Sequence, residues 1–197
     1  GRISKVFDKD IAEKFGLNKG NIYVMIHTGS RGFGHQICTD FSNIMWKNSD
    51  KNKTRAPVKG LACAPIFSDD GQNYLKSMAC AANYAFCNRQ IITHLIRETF
   101  VEVLKKPEQD LGLDLLYDVA HNIAKKEKYG QDFVLVHRKG ATRALPARHD
   151  GNPECYIETG HPAIIPGSMG TASYVVIGTS KIERTFRSVN HGAGRVM

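Results

Sequence analysis

The sequence predicts an α+β fold, a mixed α/β arrangement with long helices in the first half and β-strands in the second. Three observations carry that reading. Apolar residues recur twice at helical spacing before Pro107, short β-branched runs separated by glycine, proline and charged turns dominate after Leu113, and 42% hydrophobic with 23% charged residues is ordinary globular composition. No internal repeat or low-complexity tract interrupts the pattern.

Taken in order, residues 22–26 are apolar and β-branched, follow Asn18-Lys19-Gly20-Asn21 and precede a glycine-rich stretch. They predict a buried strand with His27 at its carboxyl end. Ile37, Phe41, Ile44 and Met45 then mark a helix that ends near residues 47–53, a polar run read as a solvated loop. From Gly71 to Lys106 one face stays apolar through Leu75, Met78, Ala82, Ala85, Ile92 and Leu95 until Pro107 stops it, which predicts one long helix. Residues 113–119, 133–137, 163–165 and 174–177 read as strands, and only residues 123–129 between them look helical.

The 197 residues carry 27 Lys+Arg against 19 Asp+Glu, a formal net charge of +8. That balance suits phosphate-rich partners but does not by itself demand them. Five cysteines, Cys38, Cys63, Cys80, Cys87 and Cys155, form no C-x-x-C pair, so neither a disulfide framework nor a structural zinc site is expected. A reducing compartment, cytoplasm or nucleus, fits best. Apolar runs are too short to cross a bilayer, and the first residues contain neither Met nor a signal-peptide core, which predicts no membrane partner, no secretory address and a processed or excised chain.

Residues 27–35, His-Thr-Gly-Ser-Arg-Gly-Phe-Gly-His, bring an imidazole, two hydroxyls, the Arg31 guanidinium and three glycines together before a helix. Glycines allow close backbone approach, and Arg31 can hold a phosphate through two parallel hydrogen bonds. No Walker or Rossmann spacing is present. His35 is read as structural or solvent-facing. His121-Asn122 repeats an imidazole at the end of an apolar run, so His27 and His121 can converge on one ion. His137-Arg138-Lys139-Gly140-Ala141-Thr142-Arg143 follows the next strand with three cations, a cluster better suited to phosphates than to a divalent metal, or else an exposed basic turn. Residues 166–173 form a small-residue turn able to present amides and hydroxyls to a nucleotide, and His191 stands between a polar turn and glycines, with Arg195 four positions on. Neutral imidazole is a competent nucleophile toward phosphorus.

The ordered strings HTGSRGFGHQ, AANYAFCNRQ, YDVAHNIAKKE, VHRKGATRA, IPGSMGTASY and HGAGR closely resemble the RtcB family of RNA-splicing ligases over nearly the whole chain. The resemblance implies an RtcB-like fold and a ligase that joins 2′,3′-cyclic phosphate or 3′-phosphate RNA ends to 5′-hydroxyl ends, in tRNA splicing and RNA repair, with GTP and manganese. It implies that His191 takes GMP as a phosphoramidate and that His27 and His121 are metal ligands. His121, Asn122, Pro166, Gly167, Ser168, Met169, Ser173, His191, Gly192, Ala193 and Gly194 are implied as guanylate contacts. Arg31, Lys139 and Arg195 match positions suited to RNA or triphosphate anions. RNA, tRNA halves foremost, is the implied partner, with an archease-like activator and a helicase-containing ligase complex as further ones.

The family's Asp-x-Gly-Cys and Gly-Gly-Gly-Asn-His-Phe motifs are absent, as is its C-terminal guanine-contacting lysine. Residues 1–197 are therefore expected to be the central part of a single catalytic domain, with weak manganese affinity and little ligation on its own. Two other readings compete: a non-catalytic RNA-binding module, and a metal-dependent phosphoesterase in which His191 is only an acid. A nucleophile beside a nucleotide turn favours the ligase, and the aromatic interleaving of single-strand platforms is missing.

Overall fold

The computed structural model describes residues 1–168 and 170–192. Helices precede strands, as the sequence predicts, and the chain is mixed α+β. It divides into two compact units, one made of residues 26–113 and the other of residues 1–25 with the described residues from Asp114 onward.

The helical unit rests on α2 (Arg31–Lys47) and α4 (Asp69–Leu104). Phe33 meets Tyr84 and Phe41 meets Tyr74 at centroid distances of 5.6 and 5.4 Å, so α2 and α4 run antiparallel. Gly34 allows the close approach, because a methyl group there would press on Ser30 and lie 3.4 Å from the Ala81 Cβ. α4 is unbroken over 36 residues, roughly 54 Å of helix. Ser68 caps it by accepting from the Gly71 amide at 3.2 Å, and Lys105 ends it in a left-handed conformation just before Pro107.

The run at residues 47–53 is not the solvated loop that its polarity suggests. It contains a one-turn helix, α3 (Ser49–Asn52), tied to α4 because Asn48 and Asn52 both donate to Asp70 Oδ2, at 2.8 and 3.0 Å. Those two hydrogen bonds hold the Asp70 carboxyl below its ordinary range.

The other unit opens with α1 (Lys9–Lys14), capped by Asp8, and carries three two-stranded antiparallel ladders among the described residues. They pair β1 (Asn122–Tyr129) with β2 (Asp132–Lys139), β3 (Ala141–Arg143) with β6 (Ser188–Asn190), and β4 (Ala163–Ile165) with β5 (Tyr174–Val176). Ala144, Leu145, His161 and Ala163, each at most 1% exposed, mark where this unit's core is tightest.

Three expectations about the elements are corrected. Residues 123–129 form a strand, because Gly130 at φ +61° closes a two-residue hairpin that pairs Tyr129 with Asp132. The inward positions of β1 include Lys125 and Glu127, so its period of two is written in charges and escapes a hydrophobic reading. Residues 113–119 are irregular, since side chains satisfy their carbonyls: Arg97 donates to Leu113 O at 2.8 and 3.0 Å, and the Tyr156 hydroxyl donates to Leu116 O. Residues 22–26 also lack a ladder. Only the Arg2–Ile22 bridge forms there, and Ile22 is 74% exposed.

Candidate functional site

The hairpin of β1 and β2 ends in register at Asn122 opposite Lys139, and Gly140 at φ +64° then turns the chain into β3. This corner is held from both sides. Asn122 Oδ1 accepts from the Gly140 amide at 3.1 Å and from Lys139 Nζ at 3.3 Å, and His121 O accepts from the Ala141 amide at 3.4 Å. From the other ladder, β6 ends at Asn190 opposite Ala141, and the His191 amide donates to Gly140 O at 2.9 Å. One glycine thus sits between the two histidine segments. Their rings stack at 3.7 Å with 7° between planes, both half-buried.

Behind His191 lies the turn between β4 and β5. Gly167 donates its amide to Ser173 Oγ at 3.0 Å, and Thr171 N donates to Ser168 O at 2.9 Å, so the small residues close the turn on itself. Gly192 adopts φ +149° against the Pro166 carbonyl, and a Cβ there would overlap that oxygen. The turn thus meets the residue after His191 at Pro166, and Gly167, Ser168 and Ser173 belong to that same turn. Of the expected set, Met169, Ala193, Gly194 and Arg195 lie outside the described residues.

His27 and Arg31 belong to the helical unit. His27 is exposed and does not terminate a strand. Arg31 is exposed at φ +54°, its Nη1 donating to Thr28 Oγ1 at 3.5 Å. His35 is exposed on α2, in keeping with the solvent-facing reading. The loop carrying His27 is braced by two α4 residues whose roles the sequence reading missed. Asn88 Nδ2 donates to Gly29 O at 3.0 Å, and buried Arg89 donates to Thr28 O at 3.2 Å. A signal was present: Arg89 lies four residues after Ala85, on the otherwise apolar stripe of the helix.

The cation cluster at residues 137–139 is split by strand alternation. Lys139 is exposed at the corner, whereas Arg138 turns inward and is 4% exposed, so it does not join a phosphate-facing surface. Its guanidinium binds Glu127 in a fork, Nη1 to Oε1 at 2.5 Å and Nη2 to Oε2 at 3.0 Å. Burial opposes the charge on Glu127, but the hydrogen bonds and charge of Arg138 outweigh it and hold the carboxyl below its ordinary range. Burial also lowers the Lys125 pKa, with repulsion from Arg143 adding to it.

A further histidine belongs to the core. His161 is 0% exposed, stacks on Tyr117 at 4.9 Å, and accepts from the Leu145 amide at 3.3 Å. Its Nδ1 lies 3.3 Å from Pro162 O, which fits a neutral ring that donates there. Burial pushes its pKa down to about 4, against about 6.5 in an unfolded chain. The unfolded state therefore binds the extra proton between these values. Stability is full above pH about 6.5 and falls by on the order of 3 kcal/mol as the pH drops to about 4. Urea unfolding at stepped pH should show this slope, and His161→Phe should flatten it; an unchanged slope would assign the loss to other groups.

The geometry defines a histidine-centred site on an α+β scaffold, with a small-residue turn at its back. The family described as tRNA-splicing ligase RtcB matches residues 1–197, and the chain belongs to it. It is 53% identical to the tRNA-splicing ligase RtcB of Archaeoglobus fulgidus, over 99% of this chain and 42% of that protein. The homologues of Methanocaldococcus jannaschii and Methanococcus maripaludis are each 52% identical, over 98% and 99% of this chain and 20% and 42% of their own lengths. The chain thus spans less than half of these relatives. No helix among the described residues is long and apolar enough to cross a membrane.

Proposed function

We propose that the protein carrying this chain is an RNA ligase of tRNA splicing and RNA repair, which joins 2′,3′-cyclic phosphate or 3′-phosphate ends to 5′-hydroxyl ends with GTP and manganese. The observation that carries the reading is the His191 imidazole, anchored through its own amide to Gly140 and backed by the turn at Pro166. A nucleophile needs its ring held and room for a nucleotide beside it; the main-chain bond to Gly140 and the stack on His121 support the first, and the small-residue turn reached through Pro166 supports the second.

In this reading His191 attacks the α-phosphorus of GTP, the bond to the bridging oxygen breaks, and pyrophosphate leaves. GMP then passes from the imidazole to an RNA 3′-phosphate. The 5′-hydroxyl of the second RNA attacks that activated phosphate, releasing GMP. Asn122 fits a role at the corner, since its Oδ1 already accepts from Gly140 and Lys139 while Nδ2 is the end that donates to an incoming oxygen. Lys139, Arg31 and Arg195 are proposed to meet triphosphate or RNA oxygens.

His27 and His121 are each proposed as manganese ligands through their match to the family motif. The donor chemistry fits: His121 has a ring nitrogen within 4.8 Å of one on His191, and imidazoles combine with the harder oxygens of a triphosphate around such an ion. Manganese would neutralise phosphate oxygens and orient the reacting phosphorus.

The test is incubation of the full-length protein with α-labelled GTP and manganese, followed by RNA bearing a 3′-phosphate. An acid-labile, alkali-stable GMP adduct that is discharged by that RNA is expected. Phosphate release from the RNA with no adduct at any time would overturn the ligase in favour of a phosphoesterase.

A further inference from the structure

The strand that delivers His191 is too short to fix itself. β6 has three residues, and its ladder with β3 consists of Ala141–Asn190, Thr142–Val189 and Arg143–Ser188. One backbone bond lies beyond each end, Ala144 N–H to Arg187 O and His191 N–H to Gly140 O, and a slip of one residue would reverse which side chains face inward. The approach to β6 is also strained. Phe186 and Arg187 are consecutive non-glycine residues in the left-handed region, both at φ +50°, a conformation that persists only when surrounding contacts overdetermine it.

One buried side chain ties this approach to the hairpin of β1 and β2, beside the turn's own backbone bonds from Phe186 N to Glu183 O and from Arg187 N to Ile182 O. Arg138 Nε donates to Ser188 Oγ at 2.9 Å and Nη2 donates to Phe186 O at 2.9 Å, while the rest of the fork is locked on Glu127 of β1. The ion pair is 1% and 9% exposed at its two side chains. Arg187 reinforces the same turn by donating to Lys128 O at 3.2 Å and to Glu183. A planar guanidinium with five donors can address a carboxylate, a hydroxyl and a carbonyl in one geometry, which a lysine cannot.

We propose that Arg138, held by Glu127, is the positioning residue for His191: its fork fixes the register of β6 on the hairpin of β1 and β2 and so sets where the imidazole stands beside Gly140. The pair serves specificity of arrangement more than stability, a use documented for other buried ionic groups, for which well-packed apolar replacements are often neutral. The placement of His191 stands on geometry alone; its consequence for nucleotide transfer rests on the function proposed above.

The experiment uses the full-length protein with the double substitution Glu127→Leu and Arg138→Met, so that neither charge is left buried alone. Hydrogen exchange is read by mass spectrometry on peptides covering residues 186–192 and 132–137, alongside the rate of GMP adduct formation. Exchange in residues 186–192 should accelerate at least tenfold while residues 132–137 keep the parental rate, and adduct formation should slow at least tenfold. Parental exchange in residues 186–192, or equal acceleration of both peptides, would overturn the proposal. If the double variant does not fold, Ser188→Ala removes the Arg138 arm to β6 together with the hydroxyl's own bond to Phe186 O, and leaves the fork on Glu127 in place. It should give at least threefold selective acceleration, and unchanged exchange there would overturn the proposal too. A parent that forms no adduct removes the nucleophile reading, and the exchange comparison still decides the positioning role.

Discussion

His191→Ala should abolish the GMP adduct in the full-length protein, to below one part in about a thousand of the parental signal, with little loss of stability. The asymmetry follows from what the ring does in the fold. It is half-buried and stacks on His121, a contact worth about 0.5–1.5 kcal/mol. Its backbone, by contrast, holds the corner through the hydrogen bond to Gly140 O, and alanine keeps that bond. Covalent transfer has no substitute for the missing nitrogen, so the chemical loss is complete where the structural loss is small. Gel autoradiography after α-labelled GTP, with thermal unfolding run in parallel, checks both halves. Adduct that persists in the variant would move the nucleophile to another residue.

The composition of the site was more legible than its construction. His121 and His191 each stand out as an imidazole at the edge of a small-residue or amide-bearing turn, and the turn at residues 166–173 is written in glycine and serine between two β-branched runs. What could not be read is how the segments are brought together. Register between β3 and β6 depends on Arg138, whose inward direction is set by alternation along β2 and by a carboxylate eleven residues away in sequence. In the string His-Arg-Lys the buried residue and the exposed one look alike. The same limit explains β1, where Lys125 and Glu127 occupy inward positions that a hydrophobic pattern assigns to leucine or valine. The strand expected over residues 113–119 failed in the opposite sense: an apolar run was present, but Arg97 and Tyr156 supplied the hydrogen bonds that a neighbouring strand would otherwise give. In both cases long-range polar partners overrode local pattern.

Gly160→Ala should cost about 3 kcal/mol or more, far beyond an ordinary glycine substitution in a turn. Gly160 stands at φ +76° and donates its amide to Tyr156 O at 2.8 Å, the left-handed close of the single helical turn at Glu154–Tyr156. An L side chain there carries a conformational cost of roughly 1–2 kcal/mol. Its Cβ would also stand 2.6 Å from Leu145 O and 3.0 Å from Ala147 N, backbone atoms that cannot rotate away. Overpacking of this kind adds about 1–3 kcal/mol. Gly130→Ala separates the two contributions, since Gly130 has φ +61° but nothing within 4 Å of a Cβ, and it should lose only the conformational part. Urea unfolding of both variants measures the difference, and equal losses would show that the contact with residues 145–147 relaxes at no cost. The larger loss would not stay local: Leu145 is joined through Ala144 to β3, β3 begins at the residue after Gly140, and Gly140 holds the His191 amide. A displacement of the backbone at Leu145 therefore reaches His191 through residues 140–144 and the hydrogen bond from its amide to Gly140 O, and adduct formation should fall in Gly160→Ala even under conditions where the variant remains folded.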